Sequence, residues 1–174
     1  QEYKLGKTQG AVKKIGKCGQ TGTTVTFEAD PEIFSPSGGG KMPEFDWDTI
    51  LDHLRRQAYL TKGLHIALKD RREEEKAKDG SMLCKSHAFY FEGGIVSYVK
   101  FLNADEKPKH ETIFYVNKEV EVAANKKILV ETAFQYVEDM RSQELSFANN
   151  IYTPEGGTHL TGFRTALTRS LNGY

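Results

Sequence analysis

Cysteine is scarce in this chain of 174 residues, with only Cys18 and Cys84 present. Two thiols cannot staple a domain of this size, so a disulfide scaffold is excluded and a reduced, cytoplasmic setting is expected. An excess of charge of one sign is also missing, because 24 basic and 24 acidic side chains cancel. The chain therefore has no global field of the kind that announces a nucleic-acid binder, and any DNA contact must be local or lie elsewhere in a longer protein. No apolar run approaches the roughly 20 residues that cross a bilayer, and no basic stretch followed by an apolar core opens the chain. Internal repeats are absent. Gln1 stands where an initiator methionine would, and Tyr174 directly follows a helical pattern, so we expect a segment of a larger protein, cut at both sides.

Chemistry-bearing constellations are equally sparse. Cys84 and His87 have metal-ligand spacing, but Cys18 and the other histidines supply no matching pair, so no metal site is expected. Gly38-Gly39-Gly40-Lys41 invites a phosphate-loop reading. That reading fails, because such a loop needs a glycine where Ser35 stands and a Ser or Thr where Met42 stands, and a surface turn is expected over residues 35–41. His159 has no Ser or Cys nucleophile with an orienting acid nearby and should be structural. Lys13, Lys14 and Lys17 cluster without an interleaved aromatic and read as a solvated face. No carboxylate pair suits hydrolysis, so no catalytic residue is assigned.

What is present, 38% hydrophobic and 28% charged residues, suits one substantial folded domain or two small ones. Residues 1–5 read as an edge strand, with Gly6 and Gly10 marking turns. The β-branched run 21–31 reads as a strand with Val25 and Phe27 on one face. A helix is expected after a cap at Asp46, with Trp47, Ile50, Leu51, Leu54 and Ala58 inward, Asp48, Asp52, Arg55 and Arg56 outward, and Gly63 ending it. Two antiparallel strands follow over 64–69 and 85–92, the second with His87, Phe89 and Phe91 on one face, joined by an exposed charged connection over 71–80. A short helix then turns Ile95, Tyr98, Val99 and Leu102 inward.

Composition turns polar over residues 103–110, around Pro108, and this is the expected domain boundary. Beyond it strands are expected over 112–116, 120–124, 128–137 and 143–149, with Ile128, Val130, Thr132, Phe134 and Tyr136 sharing one face. Then Pro154 discourages pairing, Gly156-Gly157 permits a sharp bend, and the Thr158 hydroxyl is placed to cap a final helix. That helix carries Leu160, Phe163, Leu167 and Leu171 on one face, expected to pack on the sheet of 128–137, with Arg164 and Arg169 outward toward acidic groups or water.

The order Asn149-Asn150-Ile151, followed by Gly156-Gly157-Thr158-His159-Leu160-Thr161-Gly162-Phe163-Arg164-Thr165-Ala166-Leu167-Thr168-Arg169-Ser170-Leu171-Asn172, resembles the transducer region of type IIA DNA topoisomerases. Thr21-Gly22-Thr23-Thr24-Val25-Thr26-Phe27 is similar to a late strand of the same family's nucleotide-binding fold. The resemblance covers the whole chain. It implies an α+β architecture: residues 1–106 as the C-terminal part of a Bergerat (GHKL) ATP-binding sandwich, and 107–174 as the first part of a transducer domain with a ribosomal-protein-like fold. Around residues 119–127 the chain looks longer than the family pattern, which leaves strand register there open.

Residue by residue, the resemblance makes Thr23 the threonine that helps hold adenine and Val25 a wall of the adenine pocket. A hydroxyl can bond a ring nitrogen or an ordered water, and a branched aliphatic can pack on a purine face. The implied ligands are ATP and Mg2+, held mainly by parts of the family outside this segment. The implied partners are DNA, an A-type subunit, and a second B-type subunit that closes an ATP-dependent gate. The segment alone is expected to be inactive as an ATPase. Within the family, Asn149-Asn150-Ile151 and Leu160-Thr161-Gly162-Phe163 favour the supercoiling member over the mainly decatenating one. A binding module that keeps the α+β scaffold without the chemistry is the alternative from a different class.

Overall fold

The computed structural model describes residues 1–35, 42–77, 82–123 and 126–174. The phosphate-loop lookalike Gly38-Gly39-Gly40-Lys41 lies outside the described residues, as do parts of the expected turn over 35–41, the connection over 71–80 and the extra stretch over 119–127. Helices and strands alternate along an α+β chain that divides into two compact units, Gln1–Asp46 and Trp47–Tyr174.

In the first unit β1 (Tyr3–Lys4) and β2 (Lys7–Thr8) form a small hairpin with Tyr3 opposite Thr8. Its turn residues Leu5 and Gly6 both have positive φ, which matches a turn whose twist follows that of the flanking strands. The strand expected over 21–31 does not form: residues 19–30 have no ladder partner, and Val25 is 79% exposed. A β-branched run gains strand geometry from cross-strand pairs and burial, and here no strand lies beside it. Its end is instead a helix start. Asp30 accepts the Glu32 N–H and caps the single turn α1 (Pro31–Phe34), with proline at the first helical position.

The second unit is built on α2 (Trp47–Leu60). The stripe Trp47, Ile50, Leu51, Leu54 and Ala58 turns inward as its spacing requires. The helix ends at Leu60, and Gly63 follows in the left-handed region with φ 74°. Arg55 and Arg56 depart from expectation. Both are half-buried, Arg55 lying over the rings of Phe89 and Phe101 at 5.8 and 5.4 Å, and Arg56 over Tyr152 at 4.9 Å. A guanidinium can cover an aromatic face while its edge stays hydrated, so helical position alone did not decide its direction.

The core centres on Tyr59, which is 4% exposed and stacks on Phe91 at 3.7 Å and on Tyr98 at 4.6 Å. Ala58, Phe89 and Tyr98 complete the buried apolar set. Tyr98 comes from α3 (Ile95–Leu102), formed where the sequence pattern places it. Burial raises the hydroxyls of Tyr59 and Tyr98 above their ordinary range, because both phenolates would lose hydration.

Strand β3 (Ile66–Lys76) pairs antiparallel with β4 (Met82–Phe89), Leu68 facing His87. The charged run expected to be a connection therefore continues the strand through Lys76, with an irregularity in pairing between Asp70 and Glu75. Charge does not oppose a strand whose side chains reach water. Asp70 accepts hydrogen bonds from the Arg72 guanidinium and backbone N–H, and these hold its carboxyl at about 2 against an ordinary 3.8. A depressed carboxyl stabilises the fold above its unfolded value and loses that contribution as pH falls from about 4 to about 2. A carboxyl NMR titration should place the Asp70 midpoint near 2, and Arg72→Gln should return it to the ordinary carboxylate range.

Strands β5 (Phe114–Ala123) and β6 (Lys126–Phe134) form one long hairpin, where two separate strands were expected before residue 125. The stretch 119–127 extends this hairpin, with Glu119 opposite Leu129, Val120 opposite Ile128, and a register shift between Glu121 and Ala123. The expected face of Ile128, Val130, Thr132 and Phe134 exists, opposed by Val120, Lys118, Val116 and Phe114. A last two-residue pair, β7 (Phe147–Ala148) and β8 (Ile151–Tyr152), replaces the longer strand expected over 143–149. Each of the four strand pairs bonds only within itself.

Helix α4 (Thr158–Asn172) follows. Gly157 takes the cap position and makes no side-chain cap bond, so Thr158 is the first helical residue rather than the cap. Gly156 has φ 75°, and a Cβ there would sit 2.9 Å from Leu160 Cδ2, so the bend needs glycine. Leu160, Phe163 and Leu167 are half-buried while Leu171 is exposed. The helix meets the long hairpin through one aromatic contact, Phe163 edge-on to Phe134 at 6.1 Å. Because Phe163 is only half-buried, Phe163→Ala should cost about 1–2 kcal/mol in urea unfolding, below the range for a fully buried phenylalanine. No helix among the described residues is long and apolar enough to cross a membrane.

Candidate functional site

Thr23 and Val25 lie on an extended, unpaired segment with both side chains in solvent, and no other described binding group is brought beside them. By themselves they form no nucleotide pocket. Among the described residues no group of three or more His, Cys, Asp or Glu side chains could hold a metal ion, so Mg2+ ligation is assigned to none of them. Cys84 and His87 are three apart on β4 and so point to opposite faces, which separates the one pair with metal spacing. Lys13, Lys14 and Lys17 are exposed.

His159 approaches Thr153, its Nε2 lying 3.3 Å from the hydroxyl. The Thr153 hydroxyl donates to the Ser146 carbonyl at 2.9 Å, and the Ser146 hydroxyl donates to the Thr153 carbonyl at 3.1 Å. Each hydroxyl proton is thus directed to a backbone carbonyl, and Ser146 is buried, so the cluster fixes the β7–β8 hairpin rather than presenting a nucleophile. Arg164 pairs with Glu144, one of the acidic contacts expected for the outer face of α4.

The most connected polar arrangement was not foreseen. It runs along the C-terminal half of α2 and the turn after it. Gln57 Nε2 donates to the Asn150 carbonyl at 2.8 Å, and Asn150 Nδ2 donates to the Thr61 hydroxyl at 3.3 Å. Lys62 Nζ donates to the Tyr115 hydroxyl at 2.6 Å, and that hydroxyl donates to Glu131 at 2.7 Å. The bond to Tyr115, with a smaller push from Glu131, raises Lys62 above its ordinary value.

Asn149 and Asn150 have φ of 49° and 65°, the conformation a two-residue hairpin turn demands and asparagine tolerates. A groove lined by His53, Arg56, Gln57, Phe147, Asn150 and Tyr152 runs beside this turn. Two adjacent asparagines between short apolar runs were the signal that could have found the hairpin. Nothing local marks Gln57, Lys62 or Tyr115, because their partners are distant in sequence.

Residues 94–174 match the family model of DNA gyrase B. Over all 174 residues the chain is 40% identical to the DNA gyrase B subunit of Staphylococcus epidermidis and 38% identical to that of Staphylococcus aureus. The chain belongs to the DNA gyrase B family. It spans 24% of the length of these gyrase B relatives. Its fold is similar to the crystal structure of the 43K ATPase domain of Thermus thermophilus gyrase B in complex with an aminocoumarin, with a TM-score of 0.61 and 32% identity over 83% of this chain and 34% of that one. The gyrase B subunit from Myxococcus xanthus, at 23% identity and a TM-score of 0.56 over 71% of this chain and 31% of that one, shares the fold. The residues matched to the gyrase B family include the Asn149-Asn150 turn, Tyr115, Glu131 and all of α4.

Proposed function

We propose that this chain is part of the ATPase region of a DNA gyrase B subunit, coupling ATP binding and hydrolysis to DNA strand passage and negative supercoiling. Residues 1–106 contribute the C-terminal part of the GHKL ATP-binding domain and 107–174 the start of the ribosomal-protein-like transducer. In the longer protein Thr23 and Val25 meet the adenine, while the remaining walls and the Mg2+ ligands come from other parts. DNA, the gyrase A-type subunit and a second copy of the B-type subunit are the partners, and the compartment is the cytoplasm.

The observation that supports this reading is the polar seam. Gln57, Thr61 and Lys62 on the ATP-binding side bond to Asn150, Tyr115 and Glu131 on the transducer side. A relay between a nucleotide site and a DNA gate needs its two modules joined by specific contacts, because only differential contacts can bias a two-state change.

The test uses the longer gene product assembled with its A-type subunit on relaxed plasmid. ATP-dependent negative supercoiling is expected, whereas decatenation without supercoiling would point to the topoisomerase IV B-type subunit. ATP turnover by the 174-residue chain alone, at a rate comparable with the longer protein, would refute the division of labour. Thr23→Ala in the longer protein should weaken ATP binding about fivefold, the loss of one neutral hydrogen bond of about 1 kcal/mol. A longer protein with no adenine pocket at all would identify a non-catalytic binding module.

A further inference from the structure

The polar stretch after α3 is stitched to the end of β6. Pro108 and Val137 form an antiparallel bridge, the Lys109 N–H donates to the Tyr136 carbonyl at 2.8 Å, and the Glu138 N–H donates to the Lys107 carbonyl at 2.9 Å. The Gln135 side chain sits across the junction, donating to the His110 carbonyl at 2.8 Å and accepting from Asn103 Nδ2 at 3.0 Å.

His110 lies in the middle of these bonds. Its Nδ1 is 2.6 Å from the Thr112 carbonyl, and its Nε2 receives the Tyr136 N–H at 3.0 Å. A carbonyl can only accept and a backbone N–H can only donate, so Nδ1 carries the ring proton and Nε2 offers a lone pair. Both contacts are satisfied by one neutral tautomer. A second proton, placed on Nε2, would face the Tyr136 N–H donor to donor.

We propose that His110 is a proton-operated clamp: neutral, it fastens residues 107–112 to the end of β6, and on protonation it releases the Tyr136 amide and loosens the crossing between α3 and the β5–β6 hairpin. The surrounding charges do not supply a substitute bond. Lys107 pairs with Glu138 at 3.0 Å, Arg141 pairs with Asp139 at 2.8 Å and also feels Glu106, and Lys109 and Glu111 flank the histidine in sequence. Tyr136 presents its ring edge-on at 5.9 Å, and Asn103 and Gln135 are neutral. Histidine is the side chain whose charge ordinarily changes between about pH 5 and 8, so the clamp is set to respond in that interval. Its operation does not depend on the gyrase reading.

The experiment follows amide exchange of the 174-residue chain by NMR from pH 8 to pH 5, each rate divided by its intrinsic rate at that pH. Protection at Tyr136 should fall about tenfold or more across the interval, while protection at Tyr98, whose N–H bonds the Gly94 carbonyl within α3, holds constant. Ring nitrogen shifts at pH 8 should report the Nδ1–H tautomer. His110→Gln keeps a donor and an acceptor but takes up no proton, so its Tyr136 protection should be level across the same range. An Nε2–H tautomer, a level wild-type profile, a parallel loss at Tyr98, or an unchanged pH dependence in His110→Gln would each overturn the proposal. Should the variant not fold, the wild-type profile decides.

Discussion

Replacing Tyr59 by alanine is expected to cost about 3–5 kcal/mol in reversible unfolding, the largest effect of any single change in this chain. Tyr59 lies between Phe91 and Tyr98 in a continuous stack and also tilts against Phe101, so truncation removes the shared face of three rings. Few other side chains in the second unit are buried: Ala58, Phe89 and Tyr98 complete the apolar core among the described residues. With so little apolar surface elsewhere to collapse into the gap, the cavity term adds to the lost transfer energy. Tyr59→Phe preserves the stack and should cost under about 1 kcal/mol. Urea titration of both variants checks the pair, and equal losses would show that the hydroxyl rather than the ring is what matters.

Asn150→Val should cost about 2–3 kcal/mol, because valine is forced into a left-handed conformation at φ 65° and the bond to Thr61 disappears. The turn has only two residues between Ala148 and Ile151, so the chain cannot relax without losing that pairing. Asn150→Gly removes the same side-chain bond but none of the backbone fit, and should cost less than half as much. The Gln57 bond to the Asn150 carbonyl survives in the glycine variant, since it uses only backbone on that side. If valine and glycine proved equally destabilising, backbone strain would not be the cause.

Local signals make much of this fold legible. The apolar stripe of α2, the helix α3 and the face of Leu160, Phe163 and Leu167 follow from spacing, because a helix places side chains independently of what they meet. The same logic fails where partners decide. Residues 21–31 have strand composition and no ladder, while 71–76 have the composition of a connection and continue β3. Tyr59 lies beside the stripe by spacing, yet its ring is drawn into the centre by Phe91 and Tyr98. Arg55 and Arg56 were expected to point outward and instead cover rings supplied by β4, α3 and β8.

The candidate site divides in the same way. By itself the sequence determined the family, through the ordered run from Asn149 to Asn172, and with it the expectation of an ATP-gated topoisomerase, because that information lies in the residues and their order. Only the tertiary structure decided that Asn150 meets Gln57 and Thr61, that Lys62 reaches Glu131 by way of Tyr115, and that His110 is held as one neutral tautomer. The reason is physical: a long-range polar contact depends on distance and donor direction between groups far apart in the chain, and no local pattern encodes either.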